Sequence, residues 1–448
     1  MTDAALFVRE GSAIAPFAGA IAWLWRLPVS TQAANAHVGL GTIEDAGELA
    51  GLLSAGELAG VAVLGVRPGP DQGSLPGRQR VDGVACFELG AATRGQFTIL
   101  HGQGEAVVRS SLGVHALRDQ RWLTLGTDPL SSWGTVQDFW MLPALAEFLA
   151  DILGRPMAML PPLGLLRYDD VPGTAAQQLN GTDKPDRRVE RRVRRFFGRV
   201  RAAGAKVNLA VASRALVDGE EAPLDQVWPR SVAALAAGVA GGIAEPIAHG
   251  YLHLDREASG EGAAEPREFA RLGREEAGRR IGATLEWAEA SLGSRPASFV
   301  APNWTYSAGT LEALAEIGLP AWLPIRIGPL VDGPNVRESL VSTIDGLSRL
   351  DYRPLELLAG SGLPPTLAIH GGLIDARLEP LRSLREAPTL ARLALRRDLA
   401  RLPGISVRWV GAGDLIERLR AHDEVEVAGT EIRAPDGVEV LARGARAR

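Results

Sequence analysis

The segment LGLLRYDD, residues 163–170, decides the fold class of this chain. Its apolar first half is typical of a buried strand, and the strand ends in two adjacent aspartates. A helical pattern follows over residues 186–203, and KVNLAVAS at 206–213 is the next strand. This strand–helix–strand order predicts parallel strands whose carboxyl ends meet at one edge of a sheet.

The same alternation of strands and helices continues toward the carboxyl terminus. Helical patterns cover residues 266–292, 310–317 and 380–401. Further strands run into loops, and they are EPIAHGYLH (245–253), ASFVAPNW (297–304), PTLAIHGG (365–372) and the start of ISVRWVGAGDL (405–415). This alternation favours an α/β parallel sheet or a TIM-like barrel, in which catalytic groups collect at the carboxyl ends of the strands.

Residues 1–155 are predicted to form a separate amino-terminal α/β domain. Strands are indicated at 4–10, 60–67 and 121–130, antiparallel strands within 95–122, and a helix at 136–153. This order resembles an amidotransferase-like flavodoxin fold. Cys86 occupies the nucleophile position only in principle, because no glycine elbow surrounds it, and a lone cysteine in an apolar strand indicates a core residue.

Composition limits the classes of partner. The net charge is −5, with 46% hydrophobic and 23% charged residues, as in an ordinary soluble protein. Nucleic acids and anionic membranes need a basic surface, so neither is an expected partner. The single cysteine rules out an intrachain disulfide, and no basic, apolar leader opens the chain. A cytoplasmic location is therefore expected.

Eight arginines lie in RRVERRVRRFFGRVR, residues 187–201. The apolar residues between them fall on one helical face, which indicates an amphipathic helix with a solvated basic side. A site for an anion or a polymer is the alternative interpretation.

Three of the seven histidines follow predicted strands, as do two carboxylates. Asp169 and Asp170 end the first strand, His249 and His253 follow a second, and His370 ends a later one. Two imidazoles and one carboxylate make a facial ligand set that leaves metal positions open. An adjacent carboxylate can accept a proton from water, and a further histidine can protonate a leaving nitrogen. No role is assigned to His37, His101, His115 and His422.

Residues from about 160 to 420 resemble the polysaccharide deacetylase family, carbohydrate esterase family four. The resemblance rests on the Asp-Asp pair, the His-x-x-x-His pair and the strand-ending histidine, and it implies a distorted (β/α) barrel at 160–420 followed by a β-hairpin-like tail at 421–448. It implies these roles: Asp169 as catalytic base, His370 as catalytic acid, and Asp170, His249 and His253 as ligands of one divalent ion. Zinc is the default ion, with Co²⁺, Ni²⁺ and Mn²⁺ as alternatives.

The chain departs from the family pattern at the third motif, which is normally Arg-x-Pro-Tyr. The matching residues are Val300, Ala301, Pro302 and Asn303, so the arginine that holds the catalytic aspartate is missing. Arg167 or Arg326 is expected to replace it. Asp351 is the nearest candidate for a fourth motif. Substrate contacts are predicted for Pro302, Asn303 and Trp304, whose ring offers a flat surface to a sugar.

Three functions fit these residues. The leading hypothesis is a metal-dependent hydrolase that removes an N-acetyl group from an amino sugar or glycoconjugate. The second keeps the metal but cleaves another non-peptide C–N bond, such as that of a cyclic amide or a formamide. The third is an inactive, sugar-binding barrel, and the retention of Asp169 and His370 counts against it.

Overall fold

In the computed structural model of this chain, two large sheets follow one another along the sequence. The residues described are 6–64, 80–88, 94–101, 103–110, 113–126, 138–173, 186–255, 267–323, 335–337, 339–343, 359–370, 394–395 and 407–443. Among their helices, none combines the length and the apolar character needed to cross a membrane.

The first sheet is half parallel and half antiparallel. Its strands are β1 (Leu6–Phe7), β2 (Val29–Ser30), β3 (Val38–Thr42), β4 (Gly60–Leu64), β5 (Arg80–Glu88), β6 (Arg94–His101), β7 (Glu105–Ser110), β8 (Gly113–Asp119) and β9 (Trp122–Leu125). The order β2-β1-β3-β4-β9 is parallel, and β9-β8-β6-β5 is antiparallel. The helices are α1 (Ala15–Trp25), α2 (Ala46–Ala55) and α3 (Asp138–Leu153). Strands and a helix lie within the ranges predicted before residue 155, although the first strand is only Leu6–Phe7. The separate domain and its likeness to flavodoxin stay predictions.

The rest of the chain supplies the second sheet and short hairpins. Its strands are β10 (Met157–Met159), β11 (Leu163–Asp169), β12 (Val207–Val211), β13 (Arg214–Val217), β14 (Glu220–Pro223), β15 (Ala244–Ala248), β16 (Ala321–Leu323), β17 (Asn335–Arg337), β18 (Ser339–Thr343), β19 (Pro365–His370), β20 (Ala394–Leu395), β21 (Arg408–Trp409), β22 (Glu426–Ala428), β23 (Glu431–Arg433) and β24 (Leu441–Arg443). Its helices are α4 (Asp186–Ala202), α5 (Leu224–Val227), α6 (Pro229–Ala240), α7 (Arg274–Leu292), α8 (Ala308–Ile317) and α9 (Ala412–Asp423).

The parallel strands of the second sheet close into a ring. The order β18-β19-β11-β12-β15 is parallel throughout. Phe299 then bridges β15 to β16 through Ala248 and Ala321, and β16 pairs with β17. β17 pairs with β16 at one end of this strand order, and β18 pairs with β19 at the other end. Only one residue separates β17 from β18, so this stretch of chain closes the ring. The mixed α/β, barrel-like architecture expected from the sequence is therefore present.

A short strand distorts the ring beside β11. β21 pairs with the first residues of β11, whereas β12 pairs with β11 only from Arg167 onward. The buried Asn208 side chain fills the junction: its amide donates to the carbonyls of Leu166 and Val410, and its oxygen accepts from the N–H of Ala412. Since buried polar groups need partners, one asparagine lets three backbone segments meet inside the barrel.

Strand alternation separates the two faces of β11. Leu163 and Leu165 belong to a buried cluster with Val300 and Trp322, in the barrel interior. Leu166 and Tyr168 pack on the outside with Phe196 and its neighbours on α4, the arginine-rich helix. The amphipathic interpretation of that helix is confirmed, because its apolar residues are buried while most of its arginines are exposed. Arg167 and Asp169 therefore fall on the interior face, above the leucines.

Two predicted helices differ from the structure. The helix expected at 266–292 begins at Arg274, because residues 267–273 form turns that carry Glu268 and Phe269 into the interior. The helix expected at 380–401 is wrong where the structure describes it, since Ala394–Leu395 form β20, which pairs antiparallel with β7. That pairing makes β20, from the carboxyl-terminal part of the chain, the tenth strand of the first sheet.

The barrel and the amino-terminal sheet share a buried boundary. Arg26 directly follows α1, and its guanidinium donates to the carbonyls of Asp423, the last residue of α9, and of Val425. His422 on α9 is buried and its Nε2 lies 3.2 Å from the carbonyl oxygen of Leu24. Beyond α9, β22 and β23 form the predicted hairpin, whereas β24 returns to pair with β10.

Candidate metal centre

Three side chains that the sequence assigns to metal binding meet at one point. His249 Nε2 and His253 Nε2 are 3.1 Å apart. Asp170 Oδ1 lies 2.9 Å from His253 Nε2 and 3.4 Å from His249 Nε2. All three side chains are largely shielded from solvent. Asp170, His249 and His253 thus form a compact cluster of one carboxylate and two imidazoles.

Local backbone conformation brings the cluster together. Asp170 follows the last residue of β11 at φ 61°, and His249 follows the last residue of β15. His253 closes the next turn at φ 60°. Left-handed backbone is unfavourable for residues with a side chain, so the surrounding contacts must hold these conformations in place.

The imidazole of His249 has a defined tautomer. Its Nδ1 lies 2.8 Å from the carbonyl oxygen of Val300. A carbonyl can only accept a hydrogen bond, so Nδ1 carries the proton and the lone pair of Nε2 faces the cluster. Such a backbone partner on the far nitrogen is the usual arrangement behind a metal-bound histidine.

The charge of Asp170 acts on the second histidine. Burial lowers the pKa of the His253 imidazole, but the charge of Asp170, its hydrogen bond to His253 and the charge of Glu268 together outweigh burial, so this pKa lies above its ordinary value. His253 is therefore a more basic ligand than an isolated imidazole, and protons compete with a cation for it.

The spacing of the three ligand atoms suits a small divalent cation. Ligands about 2.0–2.1 Å from zinc, at angles from a right angle to tetrahedral, lie about 2.9–3.4 Å apart. The separations of 2.9, 3.1 and 3.4 Å match that range. Two nitrogens and one oxygen are also the donor set of open catalytic zinc sites. The residues present fit the ion that the sequence implies.

A buried ion pair lies beside the cluster. Arg167 Nε donates to Asp169 Oδ1 at 2.7 Å, and Arg167 Nη2 donates to Asp169 Oδ2 at 3.0 Å. The two side chains are 0% and 2% exposed, respectively. Among the described residues, Arg167 contacts Asp169. Arg326, the other candidate, lies outside them, as does Asp351. Two parallel hydrogen bonds from one guanidinium fix the plane of a carboxylate more strictly than one hydrogen bond would.

His370 is adjacent to Asp169 in the sheet. It ends β19, and its Cα is the register partner of the Cα of Asp169 in the parallel pairing with β11. Neighbouring strands lie about 4.8 Å apart, so the two positions are close. The side chain of His370 lies outside the described part of the chain.

The loop after Phe299 covers this end of the barrel. Pro302–Trp304 form a 3-10 turn in which Pro302 is buried and Asn303 is exposed. The Trp304 ring is partly buried against the interior cluster, and the Arg167 guanidinium lies 5.9 Å from its centroid. Tyr306 anchors the loop, because its hydroxyl accepts from the N–H of Ala301 and donates to the carbonyl of Trp322.

Backbone strain concentrates in these loops. Asn303 and Trp304 have φ values of 51° and 50°, so they share the left-handed region with Asp170 and His253. A left-handed residue other than glycine costs on the order of 1–3 kcal/mol, and such residues cluster at functional sites. The loops after β11, β15 and Phe299 therefore carry strained residues at the same end of the barrel.

One buried acid near the cluster was not predicted from the sequence. Glu268 Oε2 accepts hydrogen bonds from the backbone N–H groups of Tyr251, Leu252 and His253, at 3.1, 3.1 and 2.8 Å. Its Oε1 accepts from Arg280 at 3.0 Å. Burial raises the pKa of Glu268, although Arg280 and the N–H groups act against that rise. Gly250, directly after the first histidine, is the one sequence signal that indicates a close neighbour here.

The chain was compared with known proteins at the level of families, curated sequences and solved structures. No protein family profile and no curated protein matches it. Solved structures that match include a carbohydrate esterase family four pseudoenzyme from Bacillus anthracis, at 12% identity and TM-score 0.33, covering 57% of this chain and 66% of that one. A mutant of the pseudoenzyme with restored activity matches at 13% identity and TM-score 0.31, covering 49% and 61%.

Another match is a family four carbohydrate esterase from Streptomyces lividans in complex with acetate. It is 14% identical, with a TM-score of 0.28, and the match covers 52% of this chain and 96% of that one. The chain spans less than two thirds of the length of the pseudoenzyme. TM-scores below 0.5 do not establish a common fold, so the function proposed below rests on the chain's own residues.

Proposed function

We propose that this chain is a metal-dependent hydrolase that removes an N-acetyl group from an amino sugar or glycoconjugate. The observation that carries the proposal is the juxtaposition of two acidic residues with different surroundings. Asp170 faces two imidazole nitrogens, whereas Asp169, its neighbour in sequence, faces an arginine. Metal-assisted amide hydrolysis uses a cation to polarise the carbonyl and a separate base to accept the proton of water, and this arrangement offers a ligand for the cation and a candidate base.

Asp170, His249 and His253 would hold the ion, and zinc is the first choice because two nitrogens and one oxygen are its usual catalytic donors. When bound, a divalent ion polarises the acyl carbonyl and makes water a stronger nucleophile near neutral pH. His249 donates a hydrogen bond from Nδ1 to the carbonyl of Val300. A ring rotation that moved Nε2 away from the cluster would break this hydrogen bond.

Asp169 is the proposed general base. Arg167 donates one hydrogen bond to each of its carboxylate oxygens. The carboxylate is therefore held in one orientation, and a carboxylate is the usual type of group to accept a proton from water. Holding a base in place in this way removes rotational freedom that the reaction would otherwise have to restrict.

His370 is the proposed general acid. Its position next to Asp169 in the sheet supports a role on the same reacting group. Hydrolysis of an amide produces an amine leaving group, which is a poor leaving group until its nitrogen is protonated. A histidine is suited to that task near neutral pH.

The loop Pro302–Trp304 is the proposed substrate contact. Trp304 is partly exposed, at the end of the barrel where Arg167 and Asp169 lie. An aromatic face packs well against the apolar face of a sugar ring, which is why an amino sugar is preferred here over a cyclic amide. Asn303 is exposed in the same turn and can contact polar groups of the substrate.

The proposal is tested by acetate release. The purified protein is stripped with a chelator, reloaded with Zn²⁺ or Co²⁺, and incubated with N-acetylglucosamine oligomers, with a cyclic amide as the comparison substrate. We expect acetate from the oligomers only with metal, and none from a His249→Ala, His253→Ala double variant. Acetate release that is equal in the double variant, or hydrolysis of the cyclic amide alone, would reject it.

A further inference from the structure

We infer that Glu268 is a positioning residue that sets the His249–His253 loop in its metal-binding conformation before a metal arrives. This inference rests on the proposed function, because it assigns a role toward the same ligands. The loop is five residues long and contains two left-handed residues, Gly250 at φ 121° and His253 at φ 60°. Such a loop needs contacts of its own to be well ordered.

The three N–H groups at the end of the loop converge on one atom. Tyr251, Leu252 and His253 all donate to Oε2 of Glu268, and the bond from His253 is the shortest at 2.8 Å. Successive N–H groups that point to one centre form an anion-binding concavity. In this chain the anion is the protein's own carboxylate, and Glu268 is 2% exposed.

The other oxygen of the carboxylate is tied to a helix. Arg280 on α7 donates to Glu268 Oε1 at 3.0 Å and also to the surface residue Glu276 at 2.6 Å. One turn further along α7, the Thr284 hydroxyl donates to the carbonyl of Gly250 at 2.8 Å. The loop is thereby fixed to a rigid helix at both its N–H and its carbonyl groups.

The glycine in the loop fits the same explanation. A Cβ at position 250 would lie 2.7 Å from Glu268 Oε2 and 3.1 Å from Pro302 Cγ. Any side chain would therefore push the carboxylate away from the N–H groups. Gly250 is explained both by its left-handed backbone and by the close approach of Glu268.

The carbonyl of Tyr251 in the loop is bound by a different segment of the chain. The N–H groups of Ser213 and Arg214 donate to the carbonyl of Tyr251 at 3.2 and 2.8 Å. Glu268 is therefore the residue whose loss frees three loop N–H groups at once. His253 carries one of them and is also a ligand, so its side chain should lose its fixed position.

The test compares Glu268→Gln with Glu276→Gln. Both acids bind Arg280, but only Glu268 contacts the loop, so Glu276→Gln is a matched control for the loss of an arginine partner. We measure the Kd for Co²⁺ by competition, and amide hydrogen exchange of the peptide covering residues 249–254 in metal-free protein. Outer contacts of metal ligands typically affect affinity 10–100-fold.

We expect Glu268→Gln to raise the Kd by about 10–100-fold and to speed exchange in the metal-free loop. Glu276→Gln should stay within about threefold of the parent in affinity. A Glu268→Gln protein that melts lower but keeps both the parental Kd and the parental exchange rate would overturn the inference, since its role would then be structural only. If this variant does not fold, Glu268→Asp replaces it, with the same measurements and the same criterion.

The two proposals fail separately. A parent protein that binds no Co²⁺ would reject the proposed function. The exchange comparison in metal-free protein would still decide whether Glu268 holds the loop, because that measurement needs no metal.

Discussion

Arg167 and Asp169 lie two residues apart on one strand, and their side chains form a two-bonded ion pair inside the barrel. Residues i and i+2 of a strand share a face, so the pairing follows from the sequence spacing once the strand is placed. The third motif of the family that this chain resembles supplies an arginine from another loop. Here the first motif itself contains the arginine, and Val300 occupies the position where the other arginine would be.

Removing Arg167 should destabilise the protein through the charge it leaves behind. A buried pair that loses one partner typically costs about 3–5 kcal/mol. We expect Arg167→Met to lower the free energy of unfolding by about that amount. The double variant Arg167→Met, Asp169→Asn should recover part of the loss, because neither charge of the pair is then left buried without the other. Urea denaturation of the parent, both single variants and the double variant measures this coupling; strictly additive losses would contradict it.

Asp169→Asn and Asp170→Asn should separate turnover from metal binding. Asp169 is outside the proposed ligand set, so Asp169→Asn should keep its metal and lose about 10²–10⁴ in rate. Asp170→Asn removes a ligand and should lose the metal itself. Metal content after dialysis, beside acetate release, distinguishes the two. Loss of metal in Asp169→Asn would mean that the roles of the two aspartates are reversed.

Trp304→Ala should affect substrate more than stability. The ring is only partly buried, so truncation should cost less than the ~3–5 kcal/mol typical of a buried tryptophan. If the exposed face stacks on a sugar, KM should rise about tenfold, which corresponds to about 1.4 kcal/mol. Trp322→Ala is the control, because Trp322 is 1% exposed and should show the full loss of stability. An unchanged KM in a much less stable Trp304→Ala protein would remove this residue from the site.

Protonation of His422 should weaken the fold in mild acid. Burial lowers the pKa of this imidazole from 6.5 to about 4. Between those values the unfolded chain binds the proton and the folded chain does not, so stability falls as the pH falls from about 6.5 to about 4. The total loss from this group is about 3 kcal/mol. The free energy of unfolding is measured against pH for the parent, His422→Gln and the control His37→Gln. We expect a weaker pH dependence in His422→Gln than in the other two proteins. Equal pH dependence in all three would contradict the role of His422.

Cys86 should be dispensable for catalysis. It lies within β5, where it pairs with Gln96 of β6, and every described residue of the candidate site belongs to the region after residue 160. We propose that residues 1–155 are accessory. Cys86→Ser should therefore keep full acetate release, and complete loss of activity in a folded variant would refute this assignment.

The strand ends could be predicted because each is a short, local pattern. Residues 163–170 and 245–253 each pass from apolar to polar within a few positions, and the parallel order then brings their ends together. Arg167 was identifiable as a candidate partner for the same local reason. The roles of all these residues remain proposals.

The role of Glu268 could not be predicted from the sequence pattern, because that pattern assigns residues 266–292 to one helix. Residues 266–273 continue the polar and apolar spacing of α7, yet Phe269 turns into a buried cluster and Glu268 reaches the loop after β15. Those contacts are tertiary and override the local preference for helix. The ring closure by β17 and β18 was missed for a related reason, since it depends on pairing with strands on both sides at once.

The pairing of β11 with β19 joins Leu165 to Thr366, about two hundred positions later in the chain, whereas all three candidate ligands lie between residues 170 and 253. Contacts that span long stretches of chain form slowly during folding. The ligand cluster can therefore assemble before the neighbour of Asp169 on β19 is in place. In a refolding experiment we expect cobalt binding to recover first and turnover to follow, so a kinetic intermediate would hold metal without being able to react.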